Sequence, residues 1–260
     1  MIDLSLVYVV ILGLGIGSFL NACIYRVPRK LSVAFPTRSF CPKCNKTILW
    51  WENIPVLSWF ILWGKCSKCR LPISPVYPLV EVLSLCVALA SYFYYGLTPT
   101  GVVVYLFSAA LIVITFIDFE FKIIPDVIDL PGIIIGFIIG GLSQFLNIFE
   151  FPITTGLADS LFGFLAGGGF FFVIAEVYYR VTGKEGLGGG DIKLMAMAGS
   201  ILGWRSIAPA IFVGSLLGSI IGIGLMFIKG EGRNLEIPFG PWLSAGILSY
   251  MFFDLPFFKF

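Results

Sequence analysis

"TGVVVYLFSAALIVITFID", residues 100–118, is an unbroken apolar run that ends on an aspartate. A run of this length, without alternation, reads as a helix that crosses a bilayer, for which about 20 apolar residues are needed. In lipid the backbone must satisfy its own hydrogen bonds, which leaves helices or closed barrels, and continuous rather than alternating hydrophobicity selects helices. The rest of the chain agrees with this stretch. Of its 260 residues, 58% are hydrophobic and 12% charged, and the mean hydropathy is +0.97. A soluble domain carries about 25% charge. The chain therefore reads as an all-α polytopic membrane protein.

Eight spans are expected: 5–25, 77–95, 100–118, 127–146, 157–179, 191–204, 206–228 and 239–254. The sixth is short and interrupted by glycine. Residues 26–76 differ, holding nine of the 17 Lys and Arg and four of the six Cys. The expected organisation is a first helix at 1–25, a small polar domain at 26–76 and a seven-helix membrane domain at 77–260. The N-terminus "MIDLSLVYVV" lacks the basic segment of a signal peptide, so the first helix is kept as part of the mature protein. Basic residues gather at the inner face of membrane proteins. With the N-terminus outside, 15 of the 17 fall inside, only Arg205 and Lys259 lying outside. No basic run interleaved with aromatic residues suggests nucleic acid.

There is no histidine. This excludes Ser-His-Asp and Cys-His nucleophile systems and the H-E-x-x-H metalloproteases. Acid–base chemistry falls to Asp, Glu, Lys, Tyr or Cys.

"CPKC" at 41–44 and "CSKC" at 66–69 place two C-x2-C pairs 21 residues apart. That spacing suits a tetrahedral Zn²⁺ held by Cys41, Cys44, Cys66 and Cys69. Four thiolates leave no open position, so the expected role is structural. Cys23 and Cys86 read as small buried hydrophobes in apolar helices.

Asp118 closes the third span and Asp191 opens the sixth, behind the glycines of "GKEGLGGGDIKLMAMAG", 183–199. Both borders fall at the inner face. Ionisable residues in membrane helices generally serve function. Two carboxyls brought together share a proton, one activating water while the other protonates a carbonyl oxygen. Taken alone, Asp191 also reads as a helix N-cap. Glu120 reads as an interfacial charge and Asp126 as an N-cap. Glu81, Asp129 and Glu176 read either as cavity-lining groups or as paired structural carboxylates. The loop glycines, Gly188 and Gly190 among them, allow close backbone approach beside Asp191.

Taken together these motifs resemble the GxGD aspartyl proteases, and within them the bacterial type IV prepilin peptidases. The likeness covers "GSFLNACIYRVP" (17–28), the two cysteine pairs flanking "WENIPVLSW" (51–59), "ISPVYPLVE" (73–81), "IDFEFKIIPD" (117–126), "GLGGGD" (186–191) and "IPFGPWLSAG" (237–246). The resemblance implies Asp118 and Asp191 as the catalytic pair. It implies cleavage after Gly of the basic leader of prepilins and pseudopilins at the bacterial inner membrane. It also implies N-methylation of the new N-terminus, usually Phe, from S-adenosylmethionine. The 26–76 domain is the expected seat of that second reaction, with Glu52, Asn53, Gly64 and Lys65 as candidate cofactor contacts. Glu185, Glu231 and Glu236, near the inner face, are candidates for holding the leader's lysines. Two other readings stand beside this one: a GxGD protease that only cleaves, and a small proton-coupled transporter with paired membrane carboxylates. The four-cysteine insert argues against both.

Overall fold

The computed structural model describes residues 4–35, 38–183, 186–229 and 238–253. Among them there are ten α-helices: α1 (Leu4–Arg26), α2 (Leu57–Ile61), α3 (Val76–Tyr95), α4 (Pro99–Phe121), α5 (Asp126–Leu146), α6 (Leu157–Phe164), α7 (Phe170–Thr182), α8 (Gly189–Leu202), α9 (Ile207–Lys229) and α10 (Gly240–Phe252). The described residues contain no strand, only two isolated β-bridges.

Each of the eight expected apolar segments is helical. Among the described residues six helices are long and apolar enough to cross a membrane, one of them the continuous run Leu157–Thr182, which joins α6 to α7 through a π-helical turn at Leu165–Gly169. The large apolar side chains left exposed on these helices, such as Ile11, Ile134 and Phe172, suit a lipid-facing surface. The protein is thus a multi-pass membrane protein. α8 and α10 differ: at 14 and 13 residues they reach only about 20 Å, short of a hydrocarbon core of about 30 Å.

The chain divides into two compact units, residues 1–97 with 105–113, and residues 98–104 with 114–260. In the first, α1 and α3 run antiparallel. Small residues set their spacing: a Cβ on Gly17 would stand 2.8 Å from the Glu81 Cα, and one on Gly13 would stand 2.9 Å from the Ala88 Cβ. Polar groups finish the seam. Ser84 Oγ donates to the Gly13 carbonyl at 2.8 Å and Asn21 Nδ2 to the Tyr77 carbonyl at 3.0 Å. Cys23 is only half-buried and Cys86 is exposed, so the expected burial of both fails: each turns away from the small-residue seam.

The second unit is built around α8. Every residue from Leu194 to Leu202 is buried. α5, α6 and the π-helical turn approach it through glycines: Gly132 meets Met197, Gly136 meets Ser200, Gly163 meets Gly199, and Gly167 meets Met195. Protein thus surrounds the shortened helix where lipid surrounds a full span. α9 and α10 pack together, Gly214 against Trp242 and Leu243, and Gly246 against Ala210.

Candidate functional site

In the second unit, α4 ends one turn beyond Asp118. Lys122 turns into the left-handed region at φ 55° and its N–H donates to the Asp118 carbonyl. A short extended segment leads to Pro125, which starts α5. α8 begins at Gly189, with Gly188 as its N-cap. Asp191 is therefore the third helical residue and not the N-cap. Its backbone N–H donates to the Gly188 carbonyl at 3.1 Å.

Asp118 and Asp191 are both buried, 5% and 8% exposed, and close enough that the charge of Asp118 acts on Asp191. Two glycines create this proximity. A Cβ on Gly190 would stand 2.7 Å from the Ile124 Cβ, so only glycine lets the start of α8 lie against the segment that follows Asp118. Gly188 stands beside the Asp191 carboxylate, where a Cβ would lie 3.2 Å from Oδ2. A third glycine, not singled out from the sequence, completes the arrangement. Gly240, at the start of α10, donates its N–H to Asp118 Oδ2 at 3.0 Å, and a Cβ there would stand 2.7 Å from the same oxygen. The only signal in the sequence was its place in a Pro/Gly block.

Two further carboxylates join this region. Asp126, expected as an N-cap, is not one: Pro125 holds that position, and Asp126 Oδ1 pairs with Lys193 Nζ at 2.6 Å, tying α5 to α8. Asp129 is fully buried, neither carboxylate oxygen has a hydrogen-bond partner among the described residues, and the charges of Asp126, Lys193 and Asp191 act on it. Glu176 is a surface pair with Arg180, one turn away at 2.7 Å. Glu120 is exposed. Glu185, Glu231 and Glu236 lie outside the described residues.

In the first unit the two cysteine pairs form matching knuckles. In each, the first cysteine donates its N–H to a carbonyl five residues on, Cys41 to Lys46 and Cys66 to Leu71. Asn45 and Arg70, each just after a second cysteine, take left-handed conformations. All four sulfurs lie within 4.8 Å of one another, with Cys41 and Cys69 at 4.0 Å. A tetrahedral metal with M–S bonds of about 2.3 Å asks for S···S near 3.8 Å. The N–H groups of Cys69 and Lys68, directed at the Cys66 sulfur, hold that thiol down to about 6. Backbone donors of this kind stabilise the thiolate, the form that binds metal. The four cysteines therefore form a cluster able to hold a metal ion.

Beside the knuckles is a cavity of about 330 Å³, within the roughly 300–1,000 Å³ of small-molecule sites. Glu52 and Asn53 line it; Gly64 and Lys65 do not. Gly64 instead packs under the Trp59 ring, and Lys65 bridges to Pro72 within the second knuckle. Glu52 is saturated. Lys46 Nζ reaches both its oxygens at 2.7 and 3.0 Å, and the Leu49 N–H donates to Oε2 at 3.0 Å. Burial alone would raise its carboxyl, but Lys46, Ser67 and the Leu49 N–H overcome that and hold it at about 2. Lys46 also donates to Ser67 Oγ at 2.6 Å, so one ammonium joins the two knuckles.

Two family models match the chain: the Bacterial Peptidase A24 N-terminal domain over residues 11–95 and the Type IV leader peptidase family over residues 105–223. Curated relatives match over nearly the whole length. The Prepilin leader peptidase/N-methyltransferase of Aeromonas hydrophila is 35% identical, over 96% of this chain and 91% of its own. Those of Pseudomonas aeruginosa and Burkholderia pseudomallei are 32% and 30% identical, over 94% and 98% of this chain and 89% and 87% of their own. No solved structure matches the chain.

Proposed function

Since the chain belongs to the prepilin leader peptidase/N-methyltransferase family, we propose that it cleaves the basic leader from type IV prepilins and pseudopilins and methylates the exposed N-terminus, with Asp118 and Asp191 as the catalytic carboxyls of the first reaction. The observation that carries this reading is that two buried aspartates, 73 residues apart in sequence, stand at the end of α4 and the start of α8 within electrostatic reach of each other.

The chemistry asks for one carboxylate and one carboxylic acid. The carboxylate takes a proton from water, whose oxygen attacks the carbonyl carbon of the leader's last glycine. The acid gives its proton to the carbonyl oxygen. The tetrahedral intermediate then loses the amine as the C–N bond breaks and the nitrogen takes up a proton. The Gly240 N–H fixes Asp118 through Oδ2, and the close seat of Gly190 on Ile124 fixes Asp191. The burial around both keeps bulk water from competing.

For the second reaction the cavity of the first unit is the seat. It has the volume for a nucleoside-sized donor, and Asn53 offers an amide on its wall. Glu52, bound to Lys46, holds the wall together by joining loop to knuckles. S-adenosylmethionine supplies the methyl group when bound, leaving as the neutral thioether. Zn²⁺ is the metal of the four-cysteine centre, where it has a structural role: four thiolates leave no position for substrate.

The protein sits in the inner membrane with its N-terminus outside, and with the cysteine region and both aspartates on the cytosolic side, where a basic leader remains. Glu185, Glu231 and Glu236 attract the leader's lysines. Reversing their charge raises KM for cleavage more than it lowers kcat; an unchanged KM contradicts that role.

The test is cleavage of a Gly–Phe prepilin by detergent-purified protein with S-adenosylmethionine present, read by mass spectrometry. Wild type yields a product heavier by one methyl group, and Asp118→Asn and Asp191→Asn yield none. Wild-type cleavage by either variant removes the pair. Cleavage by wild type with no added methyl mass removes the second activity and leaves the cysteine region as scaffold.

A further inference from the structure

Two carboxylates line the cavity beside the cysteine knuckles, and they are held in opposite ways. Glu52 has its counter-ion in Lys46. Glu81, on α3, is 8% exposed, and its partners among the described residues are neutral donors only. The Val56 N–H donates to Oε2 at 2.6 Å, and the Ser18 hydroxyl donates as well. A buried carboxylate is costly without a cation beside it, and none of the three basic residues of the same wall, Arg26, Lys43 and Lys46, is paired with Glu81; Lys43 is exposed. Lys46 serves Glu52 and Ser67, and the Arg26 guanidinium donates to the carbonyls of Ser32 and Val33.

The loop facing Glu81 is bent around it. Val56 has φ 63° and ψ −53°, and the Leu57 N–H returns to the Pro55 carbonyl at 2.6 Å. This is the strained form of the three-residue turn, rare for any residue and rarer for a β-branched one. The conformation points the Val56 N–H at the carboxylate of Glu81. Around the same cavity stand the rings of Tyr25, Phe40, Trp59 and Tyr77. A carboxylate with no counter-ion among the described residues, in an aromatic-walled cavity, matches one kind of ligand, a compact organic cation with an apolar periphery.

We propose that Glu81 is the anionic seat for the cationic centre of methyl transfer in this cavity. The inference rests on the reading of the cavity as the methyl-transfer site. Both partners of that reaction carry such a centre, the sulfonium of S-adenosylmethionine and the α-ammonium of the newly exposed N-terminus. Glu81 is a binding residue for one of them. Glu52, with its charge already matched, is not.

The experiment compares wild type with Glu81→Gln and Glu81→Asp, each checked for metal content. Binding of S-adenosylmethionine and of its neutral thioether, S-adenosylhomocysteine, is measured, together with KM for a synthetic Phe-initiated acceptor peptide. If Glu81 faces the sulfonium, Glu81→Gln weakens S-adenosylmethionine at least tenfold and leaves S-adenosylhomocysteine within twofold. If it faces the ammonium, both nucleosides bind as in wild type and the acceptor KM rises at least tenfold. In either case Glu81→Asp recovers part of the loss. Unchanged donor affinity and unchanged acceptor KM in Glu81→Gln overturn the proposal. A wild type that transfers no methyl group instead overturns the reading beneath it. Wild type also offers a test that needs no variant. Tetramethylammonium chloride inhibits methyl transfer more than potassium chloride at the same ionic strength, and equal inhibition by the two salts overturns the proposal.

Discussion

The polar groups of the cysteine region and those around α8 are held in opposite ways. In residues 26–76 nearly every buried polar group has a matched partner: Glu52 has Lys46, Lys46 also has Ser67, and the Cys66 sulfur has backbone N–H groups. Around α8, Asp118 has one backbone donor, and Asp129 has none among the described residues. A matched charge stabilises and fixes a loop that has little apolar core. An unmatched carboxyl in a buried site is costly to stability and available for chemistry. Glu81 is the instructive case, a buried carboxylate that lies in the same unit as the Glu52–Lys46 pair yet has only neutral donors among the described residues.

The predictions probe this contrast in order of size. Cys66→Ser has the largest effect on the matched region. It removes a buried ligand sulfur, so the metal is released and the region between α1 and α3 loosens, at a cost of several kcal/mol. Metal content and protease sensitivity of the 26–76 segment measure it. Retention of the metal at wild-type affinity would break the ligand assignment.

Gly240→Ala comes next, in the unmatched site. The added Cβ would stand 2.7 Å from Asp118 Oδ2, so the carboxylate or α10 must move. A displacement on the order of 1 Å costs about 100-fold in rate. Leader cleavage falls to about that extent while thermal stability changes little. A stable variant with full activity would remove Gly240 from the site.

Lys46→Met strips the counter-ion from a buried Glu52. Because Lys46 is itself one-quarter exposed, the expected loss is about 2 kcal/mol at neutral pH. The pH dependence has a definite sign. The folded Glu52 carboxyl lies at about 2, below its usual value of about 4.3. Its stabilisation is therefore complete above the usual value and is lost as pH falls toward 2. In the variant that acid-side loss flattens. A wild-type slope between pH 5 and pH 2 would show that Lys46 is not the cause.

Lys193→Ala is the smallest. Its pair with Asp126 is substantially exposed on both sides, and such pairs contribute under about 1 kcal/mol. A shift in thermal midpoint beyond a few degrees would mean that the pair does more than tie α5 to α8.

Much of this architecture could be read along the chain, because it depends on local pattern. Apolar runs mark the helices, C-x2-C marks the knuckles, and a carboxylate bordering an apolar run marks Asp118 and Asp191. What escaped depends on contacts between distant residues. Gly240 meets Asp118 across 122 positions, and nothing in "PFGPW" marks its N–H as a donor to a carboxylate. Asp126 looked like a cap because it follows Pro125 and opens an apolar run; its partner lies 67 residues away on α8. The enclosure of α8 by glycines of α5 and α6 follows from helix packing, which a single-sequence pattern does not encode. Gly64 and Lys65 sit next to Cys66 in sequence yet stand off the cavity wall, Gly64 packed under the Trp59 ring and Lys65 bridged to Pro72.

The most direct test of the central claim is the rate of leader cleavage by wild type, Asp118→Asn, Asp191→Asn and the double variant. Two carboxyls acting as one unit lose their effect together. The account predicts that each single variant is slower by at least about 1,000-fold and that the double variant is no slower than the worse single one. Losses that multiply in the double variant, or a single variant that cleaves at the wild-type rate, would contradict it.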